Sequence, residues 1–289
     1  MSLQAPADKS PGWTFTYKTR RAVLQLAVLL VGSAVFLTPL GWMVLTSLKP
    51  TEQIFLFPPE FIPKPVEWDN YAEAWSQGEF WTYTQNSTLV AALNIAGNIF
   101  GSSLPAFAFA RLRFVGRRVL FLIMLSTMMV PIWVTIVPTF LLFKFFGWNG
   151  TLLPLFVPGF FAVPFYTFLL RQYFLGISHE LEDAARMDGA NSLTIYFRIV
   201  MPLARPALAT VAIFAFVYHW NDLITPLIYL TDEKLFTVAL GLSRFRNSYR
   251  MEMSHMMAAA TFALVPVLII YFFTQRLFIQ GIVLSGSKG

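Results

Sequence analysis

The residues best suited to bind a small molecule are a few polar and aromatic side chains within long apolar stretches. Asn94 and Asn98 are spaced i, i+4, so they share one face of a helix. Amides and carboxylates bond hydroxyl groups, and aromatic faces can stack on the apolar CH surfaces of a small molecule. The candidate solute-binding residues are Asn94, Asn98, Trp133, Trp220, Asn221 and Asp222. Hydrogen bonding between helices accounts for these polar residues at least as well.

The residue inventory does not favour an enzyme. The three histidines, His179, His219 and His255, are scattered, and no H-E-x-x-H pair occurs for a metal. There is no cysteine, so no disulfide framework or thiolate metal site is expected. A phosphate-binding G-x-x-x-x-G-K-[ST] loop is also absent from the sequence. We therefore predict no catalytic residue, no metal site and no cofactor in this chain, and no ATP hydrolysis by the chain itself.

A charged island at residues 177–208 separates two apolar stretches. Ser178 can cap a short helix, and three acids follow it where the helix dipole favours negative charge. Gly189 is expected to end this helix with a positive φ. The residues predicted to share one face are Leu181, Ala184, Ala185 and Asp188. Two alanines on that face would let the backbone of a partner approach closely.

The second half of the island predicts another short helix that begins at Asn191 or Ser192. Its apolar residues Leu193, Phe197 and Val200 are expected on one side, and prolines bracket the entry into the next apolar stretch.

These polar residues must be positioned by membrane helices. The chain has 289 residues, of which 56% are hydrophobic and only 12% are charged, against about 25% charged in globular domains. Six stretches are long enough for a bilayer, which needs about 20 residues. The predicted spans are Ala22–Thr46, Thr84–Ala110, Val119–Phe146, Leu152–Gln172, Ala207–Leu230 and Met256–Gln275. Buried core helices of a large soluble protein are a weak alternative, because uncharged runs of this length are rare outside membranes. We therefore predict an all-α polytopic membrane protein.

Lys and Arg in the short connections predict the orientation. The connection after the second span contains four arginines and no acid, whereas acids outnumber basic residues in the connection after the first span. This places both termini in the cytoplasm. The predicted parts are a cytoplasmic tail 1–21, a six-helix transmembrane domain 22–280 and a cytoplasmic tail 281–289, with outside loops 47–83 and 231–255 and an inside loop 173–206. The first span is too long for a cleaved signal and is expected to remain.

The charged island resembles the cytoplasmic coupling loop of bacterial ATP-binding-cassette importers, whose signature is E-A-A, three residues, then Gly. The resemblance extends to the smaller permease subunit of maltose-type carbohydrate importers. Its motifs here are Asp188-Gly189-Ala190, Pro202-Leu203 followed by Pro206-Ala207, and Trp220-Asn221-Asp222 before Pro226-Leu227-Ile228. The resemblance implies the type I importer fold, with six transmembrane helices, in a bacterial or archaeal cytoplasmic membrane.

The resemblance also implies partners. They are a second permease subunit that completes a heterodimer, two cytoplasmic ATPase subunits that bind ATP and Mg²⁺, an outside solute-binding protein and a carbohydrate, within a lipid bilayer and without nucleic acid. The implied ATPase-coupling residues are Glu182, Asp183, Ala184, Ala185, Asp188 and Gly189. Asp183 departs from the family, which usually has Glu directly before the two alanines. The resemblance implies that this acidic residue pairs with a basic residue of the ATPase. Asp183 has the shorter side chain, so that pair is expected to be weaker or to be shared with Glu182.

Two further contacts are implied. The outside loop 231–255 contains the candidate contacts with the binding protein, Leu242, Arg244, Phe245, Arg246 and Tyr249, although an interfacial loop anchored by Tyr and Arg is equally plausible. The tail residues expected to reach the ATPase subunits are Ser285, Gly286, Ser287, Lys288 and Gly289.

The alternatives concern solute and energy source. A sugar alcohol or glycerol phosphate would suit the same kind of permease. An ion-coupled transporter would need buried carboxylates, and Asp222 is the only acid within a predicted span.

Overall fold

The computed structural model describes residues 12–77, 79–245 and 253–286, and α-helix predominates in all three ranges. In chain order the helices are α1 Gly12–Ser47, α2 Thr51–Ile54, α3 Asp69–Gln77, α4 Phe80–Arg111, α5 Arg117–Ser126, α6 Ile132–Phe145, α7 Leu153–Phe156, α8 Pro164–Leu175, α9 Glu180–Met187, α10 Ser192–Ile195, α11 Met201–Leu203, α12 Arg205–Trp220, α13 Ile224–Tyr229, α14 Val238–Phe245 and α15 Met253–Gly286.

Four helical segments are long and apolar enough to cross a membrane: Thr19–Ser47, Phe80–Arg111, Leu153–Leu175 and Met253–Gln275. Two further candidates are bent pairs. Residues 117–129 and 132–145 meet at 101°, and residues 192–203 meet 205–220 at 77°. Within the described residues the total is four, or six when each bent pair counts as one span.

The third predicted span, Val119–Phe146, is bent in the structure. A short 3-10 segment, Thr127–Met129, follows α5, and Val130 is extended before Pro131. Pro131 disfavours helical backbone at the residue before it, so the chain leaves the helix there. Pro138 lies inside α6 without ending it, which shows that a proline alone does not fix the break.

The fifth predicted span, Ala207–Leu230, is also interrupted. Helix α12 ends at Trp220, and α13 begins at Ile224. Asp222 Oδ1 accepts a hydrogen bond of 3.1 Å from the Thr225 N–H, which satisfies a donor in the first turn of α13. The polar pair Asn221-Asp222 therefore marks a break in the span.

A tight turn at residues 147–150 connects α6 and α7. Gly147 and Gly150 have φ values of 69° and 80°. The N–H of Gly147 bonds to Lys144 O and that of Trp148 bonds to Phe143 O, which is the Schellman pattern at a helix end.

Helix α4 is the central helix, with α8 and α12 packed along it. Gly97 and Gly101 of α4 lie against Gly159 and Phe160, the 3-10 turn that leads into α8. A Cβ on Gly101 would lie 2.4 Å from Phe160 O, so only glycine allows the backbones to come this close.

The loops 47–83 and 231–255 meet at one end of the helices. Glu73 pairs with His255 at 2.9 Å, and the Tyr83 hydroxyl donates to Glu233 Oε1 at 2.8 Å. At the opposite end, Arg111 of α4 contacts residues 174–182. The predicted outside loops and the predicted coupling loop therefore lie at opposite ends of α4.

Candidate functional site

The charged island forms a short exposed helix, α9, whose ends follow local rules. Ser178 Oγ accepts from the Glu180 N–H at 3.2 Å, and acids occupy the first turn, where the dipole favours them. Gly189 has a φ of 82°, and the Ala190 N–H bonds to Ala185 O. The prediction that Gly189 ends the helix in the left-handed region is confirmed.

The outer face of α9 combines low and apolar side chains. Leu181 and Met187 are 47% and 88% exposed, and Ala184 and Asp188 are also exposed. Ala185 is half-buried because it packs against the core between α4, α8 and α12. The surface of α9 that a partner can reach therefore includes Asp183, Ala184, Asp188 and Gly189 from the predicted coupling set.

Glu182 does not share that accessible surface. Its side chain is 3% exposed, and its Oε1 lies 2.9 Å from Nε of Arg111, which is fully buried. The prediction grouped Glu182 with the residues that meet the ATPase, but in this structure it faces the membrane helices. The sequence argument used Arg111 only as one of four inside-facing charges and missed this contact.

The second half of the island begins as predicted and then departs from the prediction. Asn191 caps α10, with its Oδ1 accepting from the Thr194 N–H at 2.8 Å. Residues Tyr196–Val200 then form a π-helical turn, which inserts extra chain and rotates the following residues. Leu193 and Phe197 are 61% and 54% exposed, whereas Val200 is fully buried. The expectation of a single shared face for these three was wrong.

Asn94 and Asn98 lie in a helix contact rather than beside an opening. They are 0% and 1% exposed. The Asn94 amide donates to Val90 O and Leu155 O, and that of Asn98 donates to Asn94 O. In this structure both amides are enclosed between α4 and residues 155–160 and serve helix packing, and their role in solute binding stays a prediction.

Trp220 is likewise enclosed. It is 4% exposed, stacks on Phe216 at 5.3 Å and donates from Nε1 to Ala263 O at 2.9 Å. The indole is therefore enclosed between α12 and α15 in this structure, and stacking of Trp220 on a sugar stays a prediction. Trp133 is 67% exposed on α6.

The accessible polar groups of the fifth span gather at the break between α12 and α13. Asn221 is exposed and Asp222 is half-buried. Tyr218 is 55% exposed, and its ring lies 5.0 Å from that of His219, edge to face. Asp222 is close enough to interact electrostatically with both Tyr218 and His219. We call this group the break cluster; it consists of Tyr218, His219, Asn221 and Asp222.

The remaining predicted contacts lie near the edge of the described chain. Leu242 is half-buried against the core at the outer-loop end, and α14 ends at Phe245, one residue after Arg244. Arg246 and Tyr249 lie outside the described residues. Ser285 and Gly286 belong to the last turn of α15, whereas Ser287, Lys288 and Gly289 lie outside. In the described ranges, no three His, Asp or Glu side chains cluster as metal ligands.

Known proteins resemble this chain along most of its length. The arabinooligosaccharides transport system permease protein AraQ of Bacillus subtilis is 33% identical over 264 residues, which are 89% of this chain and 92% of that protein. The diacetylchitobiose uptake system permease protein NgcG of Streptomyces coelicolor is 32% identical over 273 residues, 93% of this chain and 89% of NgcG.

The fold also matches a solved structure. A chain from a bacterial ABC transporter involved in the import of the acidic polysaccharide alginate superposes with a TM-score of 0.77. The match covers 94% of this chain and 99% of that one at 23% identity, which shows a shared fold. The family model of the binding-protein-dependent transport system inner membrane component matches residues 90–283. With most of α4, the charged island and the bent spans inside that match, the chain belongs to the family of inner membrane components of binding-protein-dependent transport systems.

Proposed function

We propose that this chain is the permease subunit of an ATP-driven importer that carries a neutral carbohydrate through the cytoplasmic membrane by alternating access. The observation that carries the proposal is α9, a short helix with an exposed, low-profile face at the opposite end from the outer loops. An exposed apolar patch rimmed by charge is a typical docking surface. Two ATPase subunits would dock there and on a second permease, and a binding protein would deliver solute outside.

The similar permeases support a carbohydrate. AraQ is named for arabinooligosaccharides and NgcG for diacetylchitobiose. The break cluster supplies a carboxylate, an amide and an exposed phenol, which suit hydroxyl groups. A carboxylate inside a membrane span is costly unless it faces a partner or a water-filled path. We therefore place the solute path beside Asn221 and Asp222.

The charges of the spans favour a neutral solute over glycerol phosphate. In α4, α6 and α8, the Lys and Arg residues (Arg111, Lys144 and Arg171) lie near the helix ends. Between Arg205 and Lys234 the sequence has none, although Asp222 lies there. Beside Asp222, an anionic solute would meet a like charge without a neutralising Lys or Arg from residues 206–233.

Proteoliposomes containing the full complex test the proposal. Radiolabelled arabinotriose and N,N′-diacetylchitobiose are supplied outside with the binding protein, and ATP is supplied to the ATPase side. We expect uptake of a neutral oligosaccharide that requires ATP and persists when a protonophore collapses the proton gradient. sn-Glycerol 3-phosphate serves as the anionic comparison. Uptake driven by the proton gradient without ATP would overturn the proposal in favour of an ion-coupled transporter.

A further inference from the structure

We propose that Arg111 and Glu182 form a buried pin that fixes the coupling helix α9 to α4 and α8, so that the three move as one body. The proposal rests on the proposed function, because it assigns α9 the role of receiving motion from an ATPase. The contact is named the Arg111–Glu182 pin.

The pin joins a membrane helix to the coupling helix. Arg111 is the last residue of α4, and Glu182 lies in the first turn of α9. Nε and Oε1 are 2.9 Å apart, and the two side chains are 0% and 3% exposed. Exposed ion pairs contribute little because water screens them, whereas a pair buried to this degree is screened far less.

The other guanidinium nitrogens hold the chain that leads into α9. Arg111 Nη2 donates to Phe174 O in α8, and also to Ile177 O at 2.6 Å. Nη1 lies 2.9 and 3.0 Å from the ring nitrogens of His179, the residue before α9. The planar guanidinium can make these contacts together because its donors point in fixed directions. A lysine ammonium would keep the charge and lose that geometry.

The neighbouring half of the segment is tied to α4 as well. The Ser103 hydroxyl of α4 lies 2.6 Å from the Tyr196 hydroxyl, and both residues are fully buried. In contrast, most of α9 is exposed. The position of α9 relative to α4 therefore depends on the pin at its start and on the packing of Ala185.

Removal of one partner from a buried ion pair strands the other charge, which is strongly unfavourable. A docked ATPase that moved α9 away from α4 would incur that cost. Moving α9, α4 and α8 together would leave the pin intact. The pin thus favours rigid-body transmission over local bending of the coupling loop.

Distance measurements on the assembled transporter test this directly. Because the chain has no cysteine, Val115→Cys and Arg186→Cys can carry the only spin labels on this subunit. Val115 is fully exposed beyond α4, and Arg186 is exposed on α9 away from Leu181 and Ala184. We expect one narrow distance distribution that is the same in the nucleotide-free and ATP-trapped complex. A distance that shifts between the two states would overturn the pin.

Substitutions supply the second arm. In the labelled complex, Arg111→Lys and Glu182→Gln should broaden the distribution and lower solute-stimulated ATPase activity roughly tenfold, within the usual range of coupling between sites. Glu180→Gln, an exposed charge on the same helix, is the matched control and should change neither. Full stimulation with an unchanged distribution in both pin variants would also refute the proposal.

The two arms separate this inference from the proposed function. If a pin variant fails to assemble, the labelled complex with Arg111 and Glu182 intact still decides the matter. If that complex transports no carbohydrate but keeps a fixed distance on ATP binding, the carbohydrate proposal fails and the rigid connection stands.

Discussion

At the residue scale, the glycines of α4 set how closely its neighbours approach. Gly101→Ala would place a Cβ 2.4 Å from Phe160 O and 2.7 Å from its carbonyl carbon. Alanine normally stabilises a helix by about 1 kcal/mol relative to glycine, but overpacking costs about 1–3 kcal/mol. We expect a lower unfolding temperature for Gly101→Ala in detergent.

Gly41→Ala is the matched control because nothing lies within 4 Å of a Cβ at that position of α1. It should leave the unfolding temperature unchanged or raise it. Equal effects at both glycines would mean that the close contact between α4 and Phe160 does not limit stability.

Ala184 tests the accessible face of α9. Because it is exposed, Ala184→Arg should fold and insert normally while its bulk obstructs a docked ATPase. We expect solute uptake to fall at least about tenfold, measured in proteoliposomes, with normal amounts of subunit in the membrane. Ala184→Ser is the control, because serine changes the residue while staying close to alanine in size. Normal uptake by the arginine variant would contradict docking on this face.

The sequence correctly predicted features that depend only on residues close by in the chain. The end at Gly189 and the cap at Asn191 depend on a few adjacent backbone groups, and both were found. The partners of Arg111 and Asn94 could not be found in the same way. Glu182 and Leu155 come close to them only through packing between helices, and no local pattern encodes that contact.

At the scale of elements, the sequence located the apolar stretches and offered several Gly and Pro positions for bends, but it did not distinguish which of them would break the helix. The interruptions at Pro131 and at Asn221–Leu223 fall inside stretches that composition reads as continuous. The sequence contains both Pro131 and Pro138, yet only Pro131 lies at the break between α5 and α6, whereas Pro138 lies inside α6. Whether freed backbone groups are satisfied depends on neighbouring helices, which a single stretch of sequence does not show.

The break before α13 can be tested with two variants that separate the capping hydrogen bond of Asp222 from its negative charge. Asp222→Ala removes the acceptor for the Thr225 N–H and should cost about 1 kcal/mol, seen as a lower unfolding temperature. Asp222→Asn keeps an acceptor and removes the charge. It should unfold near the temperature of the unsubstituted protein and retain uptake of a neutral oligosaccharide. Equal losses of stability in the two variants would argue against a capping role.

The outer loop after α14 is a second element to test. Replacing residues 244–249 with a Gly-Ser linker leaves the packed Leu242 in place and removes the basic and aromatic side chains beyond it. If this loop contacts the binding protein, stimulation of ATPase activity by the loaded binding protein should fall severalfold while unstimulated hydrolysis persists. A linker of the same length keeps the loop closure comparable. Unchanged stimulation would favour an interfacial anchor.

At the scale of the whole molecule, the tail offers a test of assembly. Deleting residues 285–289 removes the last helical positions, Ser285 and Gly286, and the three residues beyond them. If the tail contacts the ATPase pair, ATPase activity of the complex should fall while its subunit composition is preserved. Replacing Lys288 alone by alanine tests whether its charge contributes. Full activity with unaltered crosslinking of the truncated chain would show a dispensable tail.

The pairing of α1 with α15 has a consequence for biosynthesis. The main helical neighbour of α1 is α15, and the other helices of the described ranges lie between them in the sequence. As the chain emerges from the ribosome and enters the membrane, α1 must remain in lipid without this neighbour until α15 has been synthesised. The stretch from Ala22 to Thr46 has no charged residue, so α1 can remain in lipid until α15 is made. A nascent chain that stalls before α15 would leave α1 unattached, and such a fragment should be recognised by membrane quality control rather than enter a complex.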